Sequence, residues 1–225
     1  MRHPILSSPF LILAFLILSA PLRAQEEPPE LISAINDGEM AKVRALLDAG
    51  ADPNLTFYDR TPLMFAAYGG HMEIVRLLVE KGADLAKKTE SAGPLITIAA
   101  ESGSIELLEF LLERGADINA RERGGQTPLM LAVHNQHPEA VGLLVEKGAN
   151  LDLQEGSGWS ALMFAAMHGD LASVTHLIEG GCDVNIRTTD GESPLDRART
   201  LAEQDLGGGD YAGVIAALTA AGAVG

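Results

Sequence analysis

Methionine, histidine and a single cysteine are the residue types in this chain best suited to bind a metal ion or to change redox state. The candidates recur along the repeating part of the sequence: Met64, Met130, Met163, His134, His168 and Cys182. A stripe of thioether and imidazole groups could bind copper or zinc. Methionine is also a core residue that fills irregular gaps, and two histidines without a carboxylate or cysteine at a set spacing are weak evidence for a metal site. We predict that the methionines are core residues, and we keep a metal- or redox-responsive protein as the alternative function.

No pattern typical of an enzyme accompanies these residues. Gly207-Gly208-Gly209 does not follow a strand-like run and does not precede Lys-Ser or Lys-Thr, so it is not a phosphate-binding loop. No serine lies in a nucleophile-elbow motif. The chain has 31 Asp and Glu residues, so two carboxylates that lie close together do not indicate a catalytic site. We expect no catalytic residue, no cofactor and no bound metal.

These residues lie in a sequence that repeats every 33 positions. Units start at 61, 94, 127, 160 and 193, and a closing glycine recurs at 82, 115, 148 and 181. In the unit that begins at Thr61-Pro62, a capping residue and a proline predict a helix start. Gly69-Gly70 ends this short helix, Met72–Lys81 forms a second amphipathic one, and Gly82 ends it. Neither helix is stable alone, so neighbouring units must bury it.

The stretch TPLMFAAYGGHMEIVRLLVEKGAD resembles the ankyrin repeat. The resemblance covers roughly residues 29–223, and the closures of Gly-Ala-Asp type recur in register. It implies an all-α ankyrin-repeat solenoid of about six helix–turn–helix units, which start near 29, 61, 94, 127, 160 and 193 and are joined by β-hairpin-like turns. It also implies one repeat domain over residues 29–225, a curved stack that binds proteins and has no chemistry of its own.

Departures from the pattern in three of the units predict local structure. The first has Ser33 and Lys42 at apolar slots, as expected for a terminal unit that faces water. The third has Pro94 in the threonine slot, which predicts a slightly altered entry turn into the unit. Its second helix is predicted at Ile105–Arg114. The sixth carries eight extra residues around Asp205–Asp210, and its three consecutive glycines predict a mobile surface loop.

The N-terminus has the layout of a secretory signal peptide. Arg2 and His3 precede a mostly apolar run, of which Phe10–Leu18 is unbroken, and small residues follow up to Ala24. This run is shorter than the ~20 apolar residues of a membrane-spanning helix. We predict a signal peptide at 1–24, cleaved near Ala24, a linker at 25–28, and a periplasmic or secreted mature protein. An uncleaved anchor is the alternative.

The charge of the chain limits its partners. Its net charge is −15, and loss of residues 1–24 removes two arginines and makes it more acidic. We therefore expect no binding to nucleic acid and none to a membrane after cleavage, because both require positive charge. A basic protein partner is favoured, although high negative charge also serves solubility. We expect a monomer with one cysteine, Cys182, and hence no internal disulfide.

The register of the repeats predicts which residues face a partner. The resemblance implies binding through turn tips and the exposed ends of the first helices, which in this chain are Phe57, Tyr58, Arg60, Tyr68, Glu90, Glu101, Arg123, Gln126, His134, Trp159, Met167 and His168. Aromatic and arginine residues are frequent interface anchors. We expect Trp159→Ala to weaken partner binding with little effect on folding, because this turn tip offers little core to enter.

Exported bacterial ankyrin proteins form a loose family. Some resemble helpers of oxidative-stress enzymes such as catalase, and others resemble immunity proteins that neutralise toxins. The sequence leaves both roles open for this chain.

Overall fold

The computed structural model describes residues 27–89, 93–204 and 208–225. Within these ranges the secondary structure is helical, with two isolated bridges and no strand. The helices form six consecutive pairs: α1 (Glu30–Asn36), α2 (Met40–Asp48), α3 (Pro62–Tyr68), α4 (Met72–Glu80), α5 (Leu95–Glu101), α6 (Ile105–Leu112), α7 (Pro128–His134), α8 (Pro138–Glu146), α9 (Ala161–His168), α10 (Leu171–Glu179), α11 (Pro194–Glu203) and α12 (Tyr211–Ala220).

The pairs stack in sequence order. Each first helix packs against the first helix of the next unit, from α1 on α3 to α9 on α11, while α2 packs on α4, α6 on α8, and α10 on both α8 and α12. A single buried cluster runs from Leu31 to Ala223. This arrangement confirms the predicted all-α solenoid, in which short helices are stabilised by their neighbours.

Side-chain caps set the starts of most first helices. The hydroxyls of Thr61, Thr127 and Ser160 each accept a hydrogen bond from the backbone N–H three residues on, and Ser193 forms a capping box with Asp196. Pro94 has no such oxygen, and the hydroxyl of Thr97 instead donates to the Pro94 carbonyl at 2.6 Å. The first helix of the third unit therefore begins without the side-chain cap of these four helices, while residues 90–92 of its entry turn lie outside the described ranges.

The second helices end slightly earlier than the sequence predicts. In the third unit the helix ends at Leu112 rather than Arg114, because the N–H groups of Arg114 and Gly115 bond to carbonyls three residues back and tighten the last turn. Gly82 and Gly115 then take positive φ values of 89° and 78°, as a left-handed helix end requires.

The first unit has the predicted polar exterior. Lys42 is exposed and lies 3.5 Å from the Glu30 carboxylate and 3.6 Å from that of Glu39. Surface pairs of this kind contribute little to stability. Within the described residues, this side of the first unit thus presents charged side chains to solvent.

Part of the predicted loop in the sixth unit is tied to the fifth. The N–H of Asp210 donates to the Gly169 carbonyl at 2.9 Å, and the Tyr211 hydroxyl donates to the Met167 carbonyl at 3.0 Å. Added at Gly209, a Cβ would lie 2.4 Å from the His168 carbonyl oxygen. Residues 208–210 of the predicted surface loop are therefore held against the fifth unit, since close backbone approach requires glycine at position 209. Residues 205–207 lie outside the described ranges.

The predicted signal peptide and the search for membrane-spanning helices concern different parts of the chain. Residues 1–24, predicted as a signal peptide, lie outside the described residues. Within the ranges that the structure describes, no helix has the length and apolar character needed to cross a membrane.

Candidate protein-binding face

The predicted contact residues differ widely in exposure. We call their positions, the turn tips and exposed first-helix ends, the open face. Tyr58 is 60% exposed and Tyr68 is 44% exposed. The structure also exposes Arg60, Glu101, Arg123 and His134, whereas Phe57, Gln126, Trp159, Met167 and His168 are half-buried. Glu90 lies outside the described residues.

The tip of the first link is a two-residue hairpin, unlike the three hairpins that the structure describes at 122–126, 155–159 and 188–192. Phe57 and Arg60 exchange two backbone hydrogen bonds of 3.0 Å, and the central residues Tyr58 and Asp59 have φ values of 45° and 56°. Two positive φ values define the tight hairpin turn that normally selects Asn-Gly. The three later hairpins each have an additional residue and a glycine, Gly125, Gly158 or Gly191, in the left-handed conformation. The shorter first link therefore holds Tyr58 in an unfavourable backbone conformation.

This hairpin organises an aromatic cluster on the second unit. The Phe57 and Tyr58 rings lie 4.3 Å apart, and Phe57 contacts Phe65 at 6.4 Å. The Arg60 guanidinium lies over the Tyr68 ring at 4.8 Å from its centroid. Phe57 thus packs against Tyr58, while Tyr58 and Tyr68 remain accessible to a partner.

An acidic depression of about 280 Å³ adjoins Tyr68. Its wall includes the side chains of Glu101, Glu122 and Gln126. Partial burial and the Glu101 carboxylate raise the pKa of Tyr68 above its ordinary value. The Glu122 carboxylate accepts the backbone N–H groups of Gly124 at 2.6 Å and Gln126 at 3.0 Å, and the turn thereby holds it in place. The depression therefore offers a tyrosine ring and two carboxylates.

Sequence reasoning missed Glu122, although the repeat contains a signal for it. Glu155 stands 33 residues later and accepts the N–H groups of Ser157 and Trp159 in the same way. A carboxylate at this slot closes the hairpin by accepting the N–H groups two and four residues on. Aligning the two links in the 33-residue register therefore predicts that Glu122 and Glu155 have the same role.

Trp159 packs more than the sequence predicts. Its ring lies 5.1 Å from that of Phe164, the Arg197 guanidinium lies 5.2 Å from its centroid, and the residue contacts the core. Arg197 comes from the next unit and is paired with Glu192. The expectation that this turn tip offers Trp159 little core to enter is therefore wrong, because the ring packs on Phe164 and contacts Arg197, which lies 38 positions later in the chain.

The two predicted histidines meet beside this tryptophan. The rings of His134 and His168 lie 5.4 Å apart, and His134 contacts Phe164 at 5.3 Å. Burial, and next the neighbouring His134, lower the pKa of His168. Its Nε2 atom is buried and has no hydrogen-bond partner among the described residues. Over the described ranges no group of three or more His, Cys, Asp or Glu residues is placed to hold a metal ion.

The other potential metal ligands, three methionines and one cysteine, are packing residues. Met64, Met130 and Met163 are at most 1% exposed, which confirms them as core residues. Cys182 is half-buried, and burial, reinforced by Asp152, raises the pKa of its thiol to about 12. A thiol of this kind stays protonated near neutral pH and is a poor nucleophile.

The family follows from the sequence match. The family model described as "Ankyrin repeats (3 copies)" matches residues 12–89, 31–122 and 96–188. The chain belongs to the ankyrin-repeat family. Ankyrin repeats are scaffolds for protein–protein interaction, and ankyrin-repeat proteins are typically non-enzymatic.

Solved ankyrin structures have the same fold. The ankyrin repeat domain of Bcl-3, a member of the IkappaB protein family, is 28% identical with a TM-score of 0.75, covering 88% of this chain and 87% of that one. An ankyrin repeat domain from Acinetobacter baumannii AYE is 26% identical with a TM-score of 0.75, covering 86% and 98%.

Curated relatives match over a shorter stretch. "Ankyrin repeat, SAM and basic leucine zipper domain-containing protein 1" of Loxodonta africana is 36% identical over 81 residues, and that of Neofelis nebulosa is 35% identical over the same length. The match covers 36% of this chain and 17% of each relative. This ankyrin-repeat protein thus matches less than a fifth of the length of those relatives.

Proposed function

We propose that this ankyrin-repeat protein is an exported scaffold that binds a basic protein through its open face, with Tyr58 and Tyr68 as anchors. The observation that carries the proposal is the backbone conformation of Tyr58. A bulky residue with positive φ is destabilising, and such strain clusters at functional sites. Packing does not account for this conformation, since Tyr58 is 60% exposed.

The chemistry beside Tyr68 supports a basic partner. The depression next to its ring is lined by Glu101 and Glu122, and the whole chain has a net charge of −15. A lysine or arginine side chain that entered it would contact a ring face and two carboxylates, which favour a cation. The same charge disfavours nucleic acid.

Export is the second part of the proposal, and it rests on the sequence of residues 1–24. Fractionation of cells that make the full chain should place a form that begins near Gln25 in the periplasm or the medium. A full-length protein in the cytosol would contradict export. We expect the exported form to be a monomer.

Two roles fit an exported acidic scaffold: helping an oxidative-stress enzyme, or neutralising a toxin. The neighbouring genes distinguish them, since a catalase-type gene would favour the first and an effector gene the second. A metal- or redox-responsive role is not favoured, because the methionines are buried in the core and burial disfavours the Cys182 thiolate.

The test uses a variant that separates binding from stability. Affinity capture with the protein, followed by mass spectrometry, identifies a partner, which is then titrated against wild type and Tyr58→Asn. Asparagine tolerates positive φ, so this variant should melt at the same temperature or higher. Its affinity should be roughly 30-fold weaker, the size of an interface hot spot.

A matched control removes an exposed side chain from the second-helix side. Glu109 is exposed on α6, and Glu109→Ala should bind as wild type does. Equal affinity of the Tyr58→Asn variant and wild type would remove Tyr58 from the interface and the proposal with it.

A further inference from the structure

A hydrogen-bond ladder joins successive links of the stack and is interrupted once. An Asn or Asp side-chain oxygen in one link accepts the backbone N–H of the next link at 2.7–2.8 Å; the pairs are Asn54 with Asp84, Asn119 with Asn150, Asp152 with Asp183, and Asn185 with Val224. The corresponding position in the second unit is Ala86, 33 residues before Asn119. Alanine has no side-chain oxygen, and no bond of this kind reaches the N–H of Asp117 in the described part of the chain.

A second ladder is interrupted in the same link. The Arg121 guanidinium donates to the Gln154 carbonyl at 2.9 Å, and the Gln154 amide donates to the Arg187 carbonyl at 2.7 Å. Lys88 stands 33 residues before Arg121. Its exposed ammonium group has no ion pair or hydrogen bond within the described ranges. Two side-chain hydrogen bonds that join the later links are thus missing, among the described residues, between the link that contains Ala86 and Lys88 and the link that follows it.

A cavity of about 550 Å³ opens at this point. Its volume falls in the range of small-molecule sites. The side chains of Leu95, Ile96 and Leu111, each at most 3% exposed, form an apolar wall. Residues of both interrupted ladders, Ala86 and Lys88, also line it.

The rim of the cavity is cationic, although the chain as a whole is acidic. Among the described residues that line it, Lys88, Arg114 and Arg121 are cationic, and Asp117 supplies the one carboxylate. Asp117 accepts the N–H of Asn119 at 2.9 Å. Arg114 lies 3.6 Å from the centroid of the Phe110 ring and donates one hydrogen bond, to the Phe110 carbonyl. A guanidinium has five N–H donors, so Arg114 retains donors for an anion.

We propose that this cavity binds a small carboxylate with an apolar tail. A ligand oxygen takes the place that the Asn or Asp oxygen occupies in the other links and accepts the N–H of Asp117. Lys88 and Arg114 balance the ligand charge, and the tail packs on Leu95, Ile96 and Leu111. Carboxylate recognition by a cation together with a backbone N–H is a strong, charge-assisted arrangement.

The probe is octanoate, titrated into the full chain by calorimetry. Octyltrimethylammonium has the same tail with the opposite charge, and acetate has the charge without the tail. We expect octanoate to bind at least tenfold more tightly than either. Lys88→Gln should weaken octanoate binding about fivefold. Arg44→Gln removes the same charge from α2, away from the cavity, and should leave binding unchanged.

Ala86→Asn is the decisive variant, because it restores the missing side-chain oxygen. The N–H of Ala86 bonds to Asp84 at 2.8 Å, as the N–H of Asn54 bonds to Asp52 at 2.8 Å, so asparagine fits this backbone. The variant should melt at a higher temperature and lose octanoate binding. Absence of octanoate binding to wild type at millimolar concentration would overturn the proposal. Unchanged binding to Ala86→Asn, or unchanged binding to Lys88→Gln, would also overturn it.

Discussion

Replacement of Trp159 by alanine tests whether this residue stabilises the stack. The substitution removes a half-buried indole that contacts Phe164 at 5.1 Å and Arg197 at 5.2 Å. It leaves the hairpin intact, because the backbone N–H of Trp159, which donates to Glu155 at 3.0 Å, is unchanged. The loss of stability therefore reports on the side chain.

The expected loss can be estimated from these contacts. The aromatic pair contributes about 0.5–1.5 kcal/mol, and the cation–π contact about 0.5–1 kcal/mol at a partly exposed site. Loss of buried apolar area adds to this, although less than the ~3–5 kcal/mol of a fully buried tryptophan. We expect the free energy of unfolding to fall by about 2–3 kcal/mol.

Urea unfolding followed by circular dichroism measures this loss. Tyr58→Asn is the control, because it removes an aromatic ring that is 60% exposed, and its midpoint should not fall. The double variant Trp159→Ala with Arg197→Gln should show a coupling of about 0.5 kcal/mol or more. A Trp159→Ala midpoint equal to that of wild type would refute the packing role.

Four further predictions concern the stack and its titrating groups. Leu111→Ala, in a central unit, should lower the free energy of unfolding by about 2–5 kcal/mol, whereas Leu218→Ala should mainly fray the last unit in hydrogen exchange; equal global losses would contradict a repeat stack. Thr127→Ala removes the cap on the Met130 N–H and should lower the free energy of unfolding by about 1 kcal/mol in urea. Burial lowers the pKa of His168, so the unfolded chain protonates first, and stability should decline as pH falls below about 6.5; a slope between pH 7 and 5 that is unchanged in His168→Asn would exclude this cause. Cys182, with its pKa raised to about 12, should react with iodoacetamide at pH 8 much more slowly in the folded than in the urea-unfolded chain.

Local rules account for the parts of the fold that were predicted correctly. Thr61 and Thr127 precede prolines at helix starts, and both cap their helices. Gly82 follows a helix and takes the left-handed conformation. Each of these features depends on residues within about four positions, so a single unit contains the information.

The site was predicted only in part, because several of its contacts cross between units. The register placed Tyr68 and Glu101 on the open face, but not the role of Glu122 beside them. The packing of Trp159 depends on Arg197 in the next unit, and no local pattern pairs the two. The strain at Tyr58 follows from a link one residue shorter than the others, which the sequence shows without indicating its backbone conformation.

The sequence by itself determined the repeat, its helices and their caps, since a period of 33 residues and short-range backbone chemistry are readable along the chain. Only the tertiary structure decided which exposed positions are accessible and which are covered by the next unit. It also revealed the cavity beside Ala86. Whether a side-chain oxygen bonds to the next link depends on how the two links lie against each other, which the sequence does not show. The physical reason is that burial and hydrogen bonding between units depend on distances across the stack, which spacing along the chain does not specify.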